Sequence, residues 1–321
     1  DYYINGGIYR TDPRVMAWDF IDIPGRQDAG NIIYDIDPGE EVVWTANWWA
    51  GLKKSTDGGL SWESIVPDTT LFNPMDKHHH RIFSVAVSDE IICAGSQGGL
   101  NLSIDGGANW ENLKHIDGQP SLTSDKIATT DFRDTGTNRE IWAACWASIS
   151  SGGTSGVSIS SDTGQTWRTV LTGQKGWNFL FHQSDIFVAC NSGLWFSAND
   201  GEDFINLTTS HLSSEVEIYE VEMTADSTLW IGTSDGLYRG GYGGEWWEKV
   251  DFISLDAADA GSRPTTFELG QNFPNPFNPA TTIPVELERS SRIDLQVYDI
   301  LGRRQKTVLS AILPAGSHDL I

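Results

Sequence analysis

Hydrophobic residues in this chain come in short runs and not in stripes of helical spacing. Arg81–Ser88, Glu90–Gly95 and Leu100–Ile104 are short, rich in β-branched and aromatic residues, and bounded by Gly, Asp and Ser. Such runs predict strands. No amphipathic stretch long enough for a helix interrupts them, so the pattern predicts an all-β chain.

The runs recur in a frame. An apolar run (Val42-Val43-Trp44, Ile91-Ile92-Cys93, Ile141-Trp142-Ala143, Ile186-Phe187-Val188) precedes a Gly with Leu or Val (Gly51-Leu52, Gly99-Leu100, Gly156-Val157, Gly193-Leu194). A turn-like segment follows: Ser55-Thr56-Asp57-Gly58-Gly59-Leu60-Ser61-Trp62, Ser103-Ile104-Asp105-Gly106-Gly107-Ala108-Asn109-Trp110, Ser160-Ser161-Asp162-Thr163-Gly164-Gln165-Thr166-Trp167, and a worn copy at Ser197–Phe204. Gly7-Ile8 leading to Trp18, and Gly236-Leu237 leading to Gly244 and Trp247, add two frames without the Asp. The terminal aromatics Trp18, Trp62, Trp110, Trp167, Phe204 and Trp247 lie 37 to 57 residues apart. That spacing suits four-stranded propeller blades. The expected fold is a β-propeller of at least six four-stranded blades over residues 1–255. Within a blade, strands A to D run outward from the axis, and the repeated turn joins C to D.

The pattern S-x-D-x-G-x-(T/S)-W resembles the Asp-box, or BNR repeat, of sialidase-like propellers. Its chemistry is that of a turn. Asp and Ser accept backbone N–H bonds, Gly takes a conformation that other residues resist, and Trp is an apolar plug. Asp57, Asp105 and Asp162 are therefore structural, since identically placed acids in three blades cannot converge on one site. Ser55, Gly59, Trp62, Ser103, Gly107, Trp110, Ser160, Gly164 and Trp167 complete these turns.

The frame stops after Val250. Asp256–Arg263 is small, polar and aperiodic, and reads as a linker. Gln271-Asn272-Phe273-Pro274-Asn275-Pro276-Phe277-Asn278-Pro279 follows, then Val297-Tyr298-Asp299 with Gly302-Arg303, then Ala315-Gly316-Ser317-His318. These residues resemble the C-terminal sorting domain of type IX secretion cargo, the Por secretion tail. The resemblance covers 264–321. It implies a small immunoglobulin-like β-sandwich, the secretion machinery as partner, and export through the periplasm to the medium or outer surface of a bacterial cell. Glu288 stands where that family usually has Pro, and its final strands would lie beyond Ile321. The chain also opens mid-blade at Asp1, so a longer natural chain is expected.

Charge narrows the partners. The 321 residues hold 21 Lys and Arg against 44 Asp and Glu, a net charge of -23, which disfavours nucleic acid. No apolar run reaches membrane-spanning length. Cys93, Cys145 and Cys190 are too few and uneven for a disulfide framework. Cys145 and Cys190 are expected where other blades have Asn47, Gly95 or Thr233, with Cys93 two places earlier. No C-x-x-C pair suggests zinc, no cofactor is expected, and His78-His79-His80 with Asp76 reads as a polar loop, not a metal site.

No catalytic set is singled out. Arg81-Ile82-Phe83 lacks the leading aromatic and the Pro of the sialidase F/Y-R-I-P motif, and Arg10 and Arg239 recur in the repeat frame without converging. Xyloglucan-hydrolysing propellers also carry Asp-boxes and use two carboxylates across a cleft. Asp35, Asp37, Asp131 and Asp134 lie in or beside A-strand runs, but nothing picks out a pair. The string Leu229–Arg239 also resembles two-component sensor propellers, and the repeat itself that of photosystem II assembly-factor propellers. The strongest binding signal is Trp48 and Trp49 in one B–C loop and Trp146 at the matching position two blades on. The long D–A loop 66–80 should share their face. Such aromatics suit sugar rings or protein anchors. The expected function is thus a secreted or surface-attached binding or adhesion protein, with an extracellular glycan or surface protein as ligand. An exported glycoside hydrolase is the alternative.

Overall fold

A computed structural model describes residues 7–12, 17–22, 32–39, 42–68, 70–147, 153–250, 267–273, 281–287, 290–298 and 304–320. The described residues are nearly all strand, with one short 3-10 turn at His78–His80. The chain divides into two compact units. One holds residues up to Asp12 and Trp18–Asp251, the other Phe252–Ile321 with Pro13–Ala17.

The first unit is a β-propeller built of antiparallel sheets. An outer pair, β1 (Gly7–Asp12) and β2 (Ala17–Asp22), comes first. Five four-stranded blades follow, each in chain order. Blade 1 is β3 (Ile33–Pro38), β4 (Val43–Asn47), β5 (Gly51–Ser55) and β6 (Glu63–Ile65). Blade 2 is β7 (Ile82–Ser88), β8 (Ile91–Ser96), β9 (Gly99–Ser103) and β10 (Glu111–Leu113). Blade 3 is β11 (Lys126–Asp134), β12 (Arg139–Trp146), β13 (Gly156–Ser160) and β14 (Arg168–Val170). Blade 4 is β15 (Gly176–His182), β16 (Asp185–Cys190), β17 (Gly193–Ser197) and β18 (Ile205–Asn206). Blade 5 is β19 (Ile218–Met223), β20 (Leu229–Thr233), β21 (Gly236–Gly240) and β22 (Trp247–Lys249).

The core lies between blades. Trp44, Leu52, Ile82 and Val85 pack where blades 1 and 2 meet. Leu100, Ile127, Ile141 and Trp167 do so for blades 2 and 3. Trp142, Val157, Phe179 and Ile186 join blades 3 and 4, and Phe187, Leu194, Val221 and Ile231 join blades 4 and 5. Strands B and C are the most buried elements, because they are sheltered on both faces and paired on both edges. Trp142 and Phe187 are fully buried there.

The repeated turns pack each blade onto the preceding one. The would-be Cβ of Gly164 lies 2.8 Å from Leu113 and 2.9 Å from Leu102 of blade 2, and that of Gly201 lies 3.1 Å from Trp142 of blade 3. Gly59 of blade 1 meets Ile21 of β2 in the same way, at 3.1 Å. The pair β1–β2 thus stands where a preceding blade's outer strands belong.

Strand register corrects one expectation. Cys145 and Cys190 align with Asn47, Ser96 and Thr233, each opposite the Gly that opens strand C. Gly95 is one place earlier. Cys93 is three places earlier, where other blades carry Trp44, Trp142, Phe187 and Trp230. The register must be counted back from Gly99, which opens strand C after a short connection of Gln97 and Gly98. All three cysteines are buried and free.

In the second unit, β23 (Phe267–Leu269), β24 (Ile283–Leu287) and β27 (Gly316–Leu320) form one antiparallel sheet. β25 (Ser291–Tyr298) and β26 (Arg304–Leu313) form another. Val285 and Leu287 of β24 are buried. Of the tail motif, Asn272 donates to Thr281 Oγ1 at 3.1 Å, and Phe273 pairs with Thr282. Pro274, Asn275, Pro276, Phe277, Asn278 and Pro279, like the expected linker at 256–263, lie outside the described residues.

Candidate functional site: the mouth of the propeller channel

Every blade breaks its A–B ladder at the same place. The register shifts between Ile33 and Asp35, Ile82 and Ser84, Ile127 and Thr129, Gly176 and Asn178, and Ile218 and Glu220. The extra residues are Tyr34, Phe83, Ala128, Trp177 and Tyr219. A bulge leaves one residue outside the ladder and re-aims its side chain. The residue so re-aimed is an aromatic in four blades and an alanine in the third; Tyr34, Phe83, Ala128 and Trp177 line the channel mouth, and Tyr219 packs on Trp177.

Those A strands line a cavity of about 680 Å³. Its mouth is bordered by Tyr34, Trp48, Phe83, Lys126, Trp146 and Trp177, and its walls carry Asp35, Asp37, Thr129, Asp131, Asn178 and Glu220. The rings form two groups. Phe83 meets Trp48 at 5.0 Å and Tyr34 at 5.4 Å, and Trp48 meets Trp49 edge-on at 5.9 Å. Trp177 meets Trp146 at 4.2 Å and Tyr219 at 5.1 Å. The Lys126 ammonium bridges the groups, 5.6 Å from Phe83 and 4.6 Å from Trp146. The Arg81 guanidinium lies 5.4 Å from both Trp48 and Trp49. Trp146 is fixed by donating from Nε1 to the Gly176 carbonyl at 2.8 Å.

The wall acids fall into two kinds. Strand A is the inner edge of each blade, so part of its N–H row lacks a strand partner. Asp35 accepts from Val85 N–H at 3.0 Å and Asp37 from Val87 N–H at 2.7 Å, both across to the next blade. Asn178 repeats this link to Val221 N–H at 3.2 Å, and also donates to Glu220 Oε1 at 2.6 Å. Asp35 and Asp37 are thus inter-blade clamps, held above the usual carboxylate range by burial despite these bonds. Asp131 and Glu220 make no such clamp. Burial, with Asp35 and Asp37 nearby, pushes Asp131 up to about 6. Loss of solvent around the carboxylate, then the charges of Glu222 and Asp35, pushes Glu220 up to about 7. Among the described residues none of these four acids has a cationic partner within 4 Å. Asp134 is exposed at the far end of β11 and accepts from Gly136 N–H.

Trp48 and Trp146 therefore share the mouth, joined through Phe83 and Lys126, while Trp49 packs behind Trp48. All three are half-buried, and the more open rings are Tyr34 and Tyr219, 52 % and 39 % exposed. Sequence reasoning missed Tyr34, Phe83, Trp177 and Tyr219. A signal was present, an aromatic followed by Asp, Ser, Asn or Glu near the start of four A strands. It needed the A strands aligned on their bulges.

The repeated turns carry the bonding that their residues imply. Ser55 Oγ accepts from Gly59 N–H at 2.8 Å and donates to Asp57, which accepts from the Ser61 N–H at 2.8 Å and its hydroxyl at 2.6 Å. Ser103 with Asp105, and Ser160 with Asp162, repeat this, and Trp62, Trp110 and Trp167 each donate from Nε1 to the turn glycine. The hydrogen bonds from Ser61 lead those that hold Asp57 down at about 2. In the worn copy Asn199 takes the Asp role, accepting from Asp203 N–H at 3.0 Å. The Ser oxygens and the Asp or Asn199 oxygens that define these turns are bonded within their own turn.

Asp68, His79 and His80 bring their polar atoms within 4.8 Å of one another. Their bonding does not suit a metal. His80 Nδ1 accepts from Asn73 N–H at 3.0 Å, so the ring proton sits on Nε2, which faces Asp68 at 3.2 Å. A ligating histidine instead donates its second ring N–H outward. His79 Nε2 also meets Asp68, at 2.8 Å. Phe72 stacks on His80 at 5.3 Å, so the trio pins the 66–80 loop in place.

No protein family's sequence pattern matches the chain, and no curated protein matches it in sequence. Solved structures do resemble it. An ancestral GH74 enzyme aligns at TM-score 0.55 and 19% identity, over 88% of this chain and 39% of that one. The GH74 xyloglucanase of Xanthomonas campestris aligns at 0.52 and 12%, over 95% of this chain and 47% of its own. The extracellular domain of a hybrid two-component system of B. thetaiotaomicron aligns at 0.53 and 13%, over 81% and 33%. The chain thus spans less than half of each of these neighbours. At such identity the likeness establishes the class, a β-propeller, and nothing more particular.

Proposed function

We propose that this chain is a non-catalytic binding propeller displayed outside the cell, and that its ligand is an extracellular glycan seated at the channel mouth. The observation that carries this reading is the set of bulge and B–C aromatics around a 680 Å³ cavity. Aromatic faces beside polar groups suit the apolar faces and hydroxyls of sugars. The repeated turns do not compete for this role, because the oxygens of their defining Ser and Asp residues are spent internally. Export rests on the tail: we read 264–321 as a type IX sorting domain, with that secretion machinery as its partner. No helix among the described residues is long and apolar enough to cross a membrane.

A glycan array on the purified chain tests the binding. Tyr34→Ala and Trp146→Ala should each weaken a hit by about tenfold or more, the scale of one lost anchor. Retained binding in both would place the ligand elsewhere. A second reading, an exported glycoside hydrolase, draws on Asp131 and Glu220, whose raised values suit general acids. Release of reducing ends from xyloglucan, lost in Asp131→Asn or Glu220→Gln, would favour it. Fusing 264–321 to a reporter in a type IX-competent host tests export, and retention of the reporter in the periplasm would refute the sorting assignment.

A further inference from the structure

Arg81, Lys126 and Lys175 occupy one repeat position on three successive blades, each two residues before the bulge. The backbone confirms the equivalence. Gln97 N–H donates to the Arg81 carbonyl and Asn191 N–H to the Lys175 carbonyl, both at 3.1 Å, and Lys126 pairs with Trp146. The same position holds Ile32 in blade 1, bonded from Trp48 N–H, and Glu217 in blade 5, bonded from Ser234 N–H. Among the described residues none of the three has an acidic partner within 4 Å, a trait they share with Lys53, Lys54 and Arg168. What sets them apart is their shared repeat position: Arg81 donates to Pro74 O, Met75 O and Gln97 Oε1, and Lys126 meets only rings.

Blade 3 also supplies space. Its bulge residue is Ala128, where the other blades carry rings. Phe83, Trp146 and Trp177 therefore wall a gap whose floor is Ala128 and Thr129, with Asp131 below and the Lys126 ammonium at one side. A pyranose ring set against these rings would bring a ring carboxylate to Lys126 and hydroxyls to Thr129 and Asp131. Desolvation and the charge of Lys175 lower the Lys126 pKa, so an incoming carboxylate would relieve a real cost. The net charge of -23 opposes a long polyanion. What fits is a largely neutral glycan with isolated carboxylates.

We infer that the Arg81–Lys126–Lys175 collar and the Ala128 gap select a glycan bearing a single uronate sugar; this rests on the glycan reading of the mouth. The test is calorimetric titration with a matched pair, xylotetraose and an aldotetraouronic acid in which one glucuronate decorates xylotriose. The uronate should bind tighter by about tenfold, equal to about 1.4 kcal/mol. Lys126→Gln should bring the ratio of the two affinities close to one. Ala128→Trp, which restores the ring of the other blades and removes no polar group, should abolish uronate binding while the circular dichroism and melting curve stay native. Equal binding of the pair, or a preference unchanged in both variants, overturns the inference and leaves the glycan reading standing. Binding of neither sugar here, with an empty glycan array, overturns both. A uronate displaced by an acidic peptide that binds tighter through Lys126 would move the ligand to the protein class and overturn the glycan assignment.

Discussion

Replacing Asp131 by Asn should make the propeller more stable at neutral pH, although it alters a half-buried polar residue. The carboxylate faces a channel shared with Asp35 and Asp37, and its one described hydrogen bond is from Phe132 N–H at 2.7 Å. An amide oxygen can accept that bond equally well. The folded-state value rises from 3.8 to about 6, which at about 1.4 kcal/mol per pH unit sets a ceiling near 3 kcal/mol. Water in the open channel screens part of this, so about 1–2 kcal/mol is expected. The sign follows from linkage. The native state holds this proton more tightly than the unfolded chain, so the contribution to stability is full below about pH 4 and is lost as pH rises through about 6. Asp131→Asn should therefore match the parent near pH 4 and exceed it by the full amount at pH 7–8. Urea denaturation of both proteins, followed by tryptophan fluorescence at pH 4 and 8, reads this directly. An equal difference at both pH values, or a less stable variant at pH 8, would show that Asp131 is satisfied by a partner and that the channel is not a site of crowded charge.

Three further outcomes are expected. Gly164→Ala should cost about 2–4 kcal/mol in denaturation, because φ is +83° and the new Cβ would sit 2.8 Å from Leu113; a loss under about 1 kcal/mol would mean that the blade interface yields. Asp162→Ala should cost about 2 kcal/mol, having lost the bonds from Ser160 and Thr166, while Asp162→Asn should cost less than about 1, since Asn199 does the same work in blade 4; equal losses would contradict the turn reading. The three thiols should resist a thiol-reactive disulfide reagent in the native protein and all react once it unfolds. They are fully buried, and burial pushes Cys190 up to about 12 and raises Cys93 and Cys145.

The fold was legible because blade structure repeats in sequence. A glycine that opens strand C, a turn that satisfies its own polar atoms and a plugging aromatic each need particular residues, so spacing alone recovered the frames. The inner strands were harder. Strand A has no invariant residue, because its side chains meet a different neighbour in each blade. Asp35 and Asp37 looked like unassigned acids until the structure placed Val85 and Val87 N–H across from them. Trp48 and Trp146 were recognisable as loop aromatics on one face. Their partners Tyr34, Phe83 and Trp177 were hidden by the bulge, which shifts the alternation of strand A by one residue. The misplacement of Cys93 has another origin: Ser96, not Gly95, lies opposite the Gly99 that opens strand C, so its register is fixed only by the hydrogen bonds.

The repeat also says where to look for specificity. At the C–D turns of blades 1 to 4 the blades agree, and where they differ the substitute does the same work, as Asn199 does for Asp. At the channel mouth they disagree in ways that backbone bonding does not require. The carbonyl two places before the bulge is used alike by Ile32, Arg81, Lys175 and Glu217. Those four side chains nonetheless range from apolar through basic to acidic. The bulge itself accepts Tyr34, Phe83, Ala128, Trp177 or Tyr219 with the same register shift. Positions whose backbone role is constant are free to vary, and here the variation is ordered around the ring. Three cations occupy adjacent blades, and the one missing ring lies in the middle blade of the three. That order is the one that the proposed mouth, admitting one sugar from one side, requires.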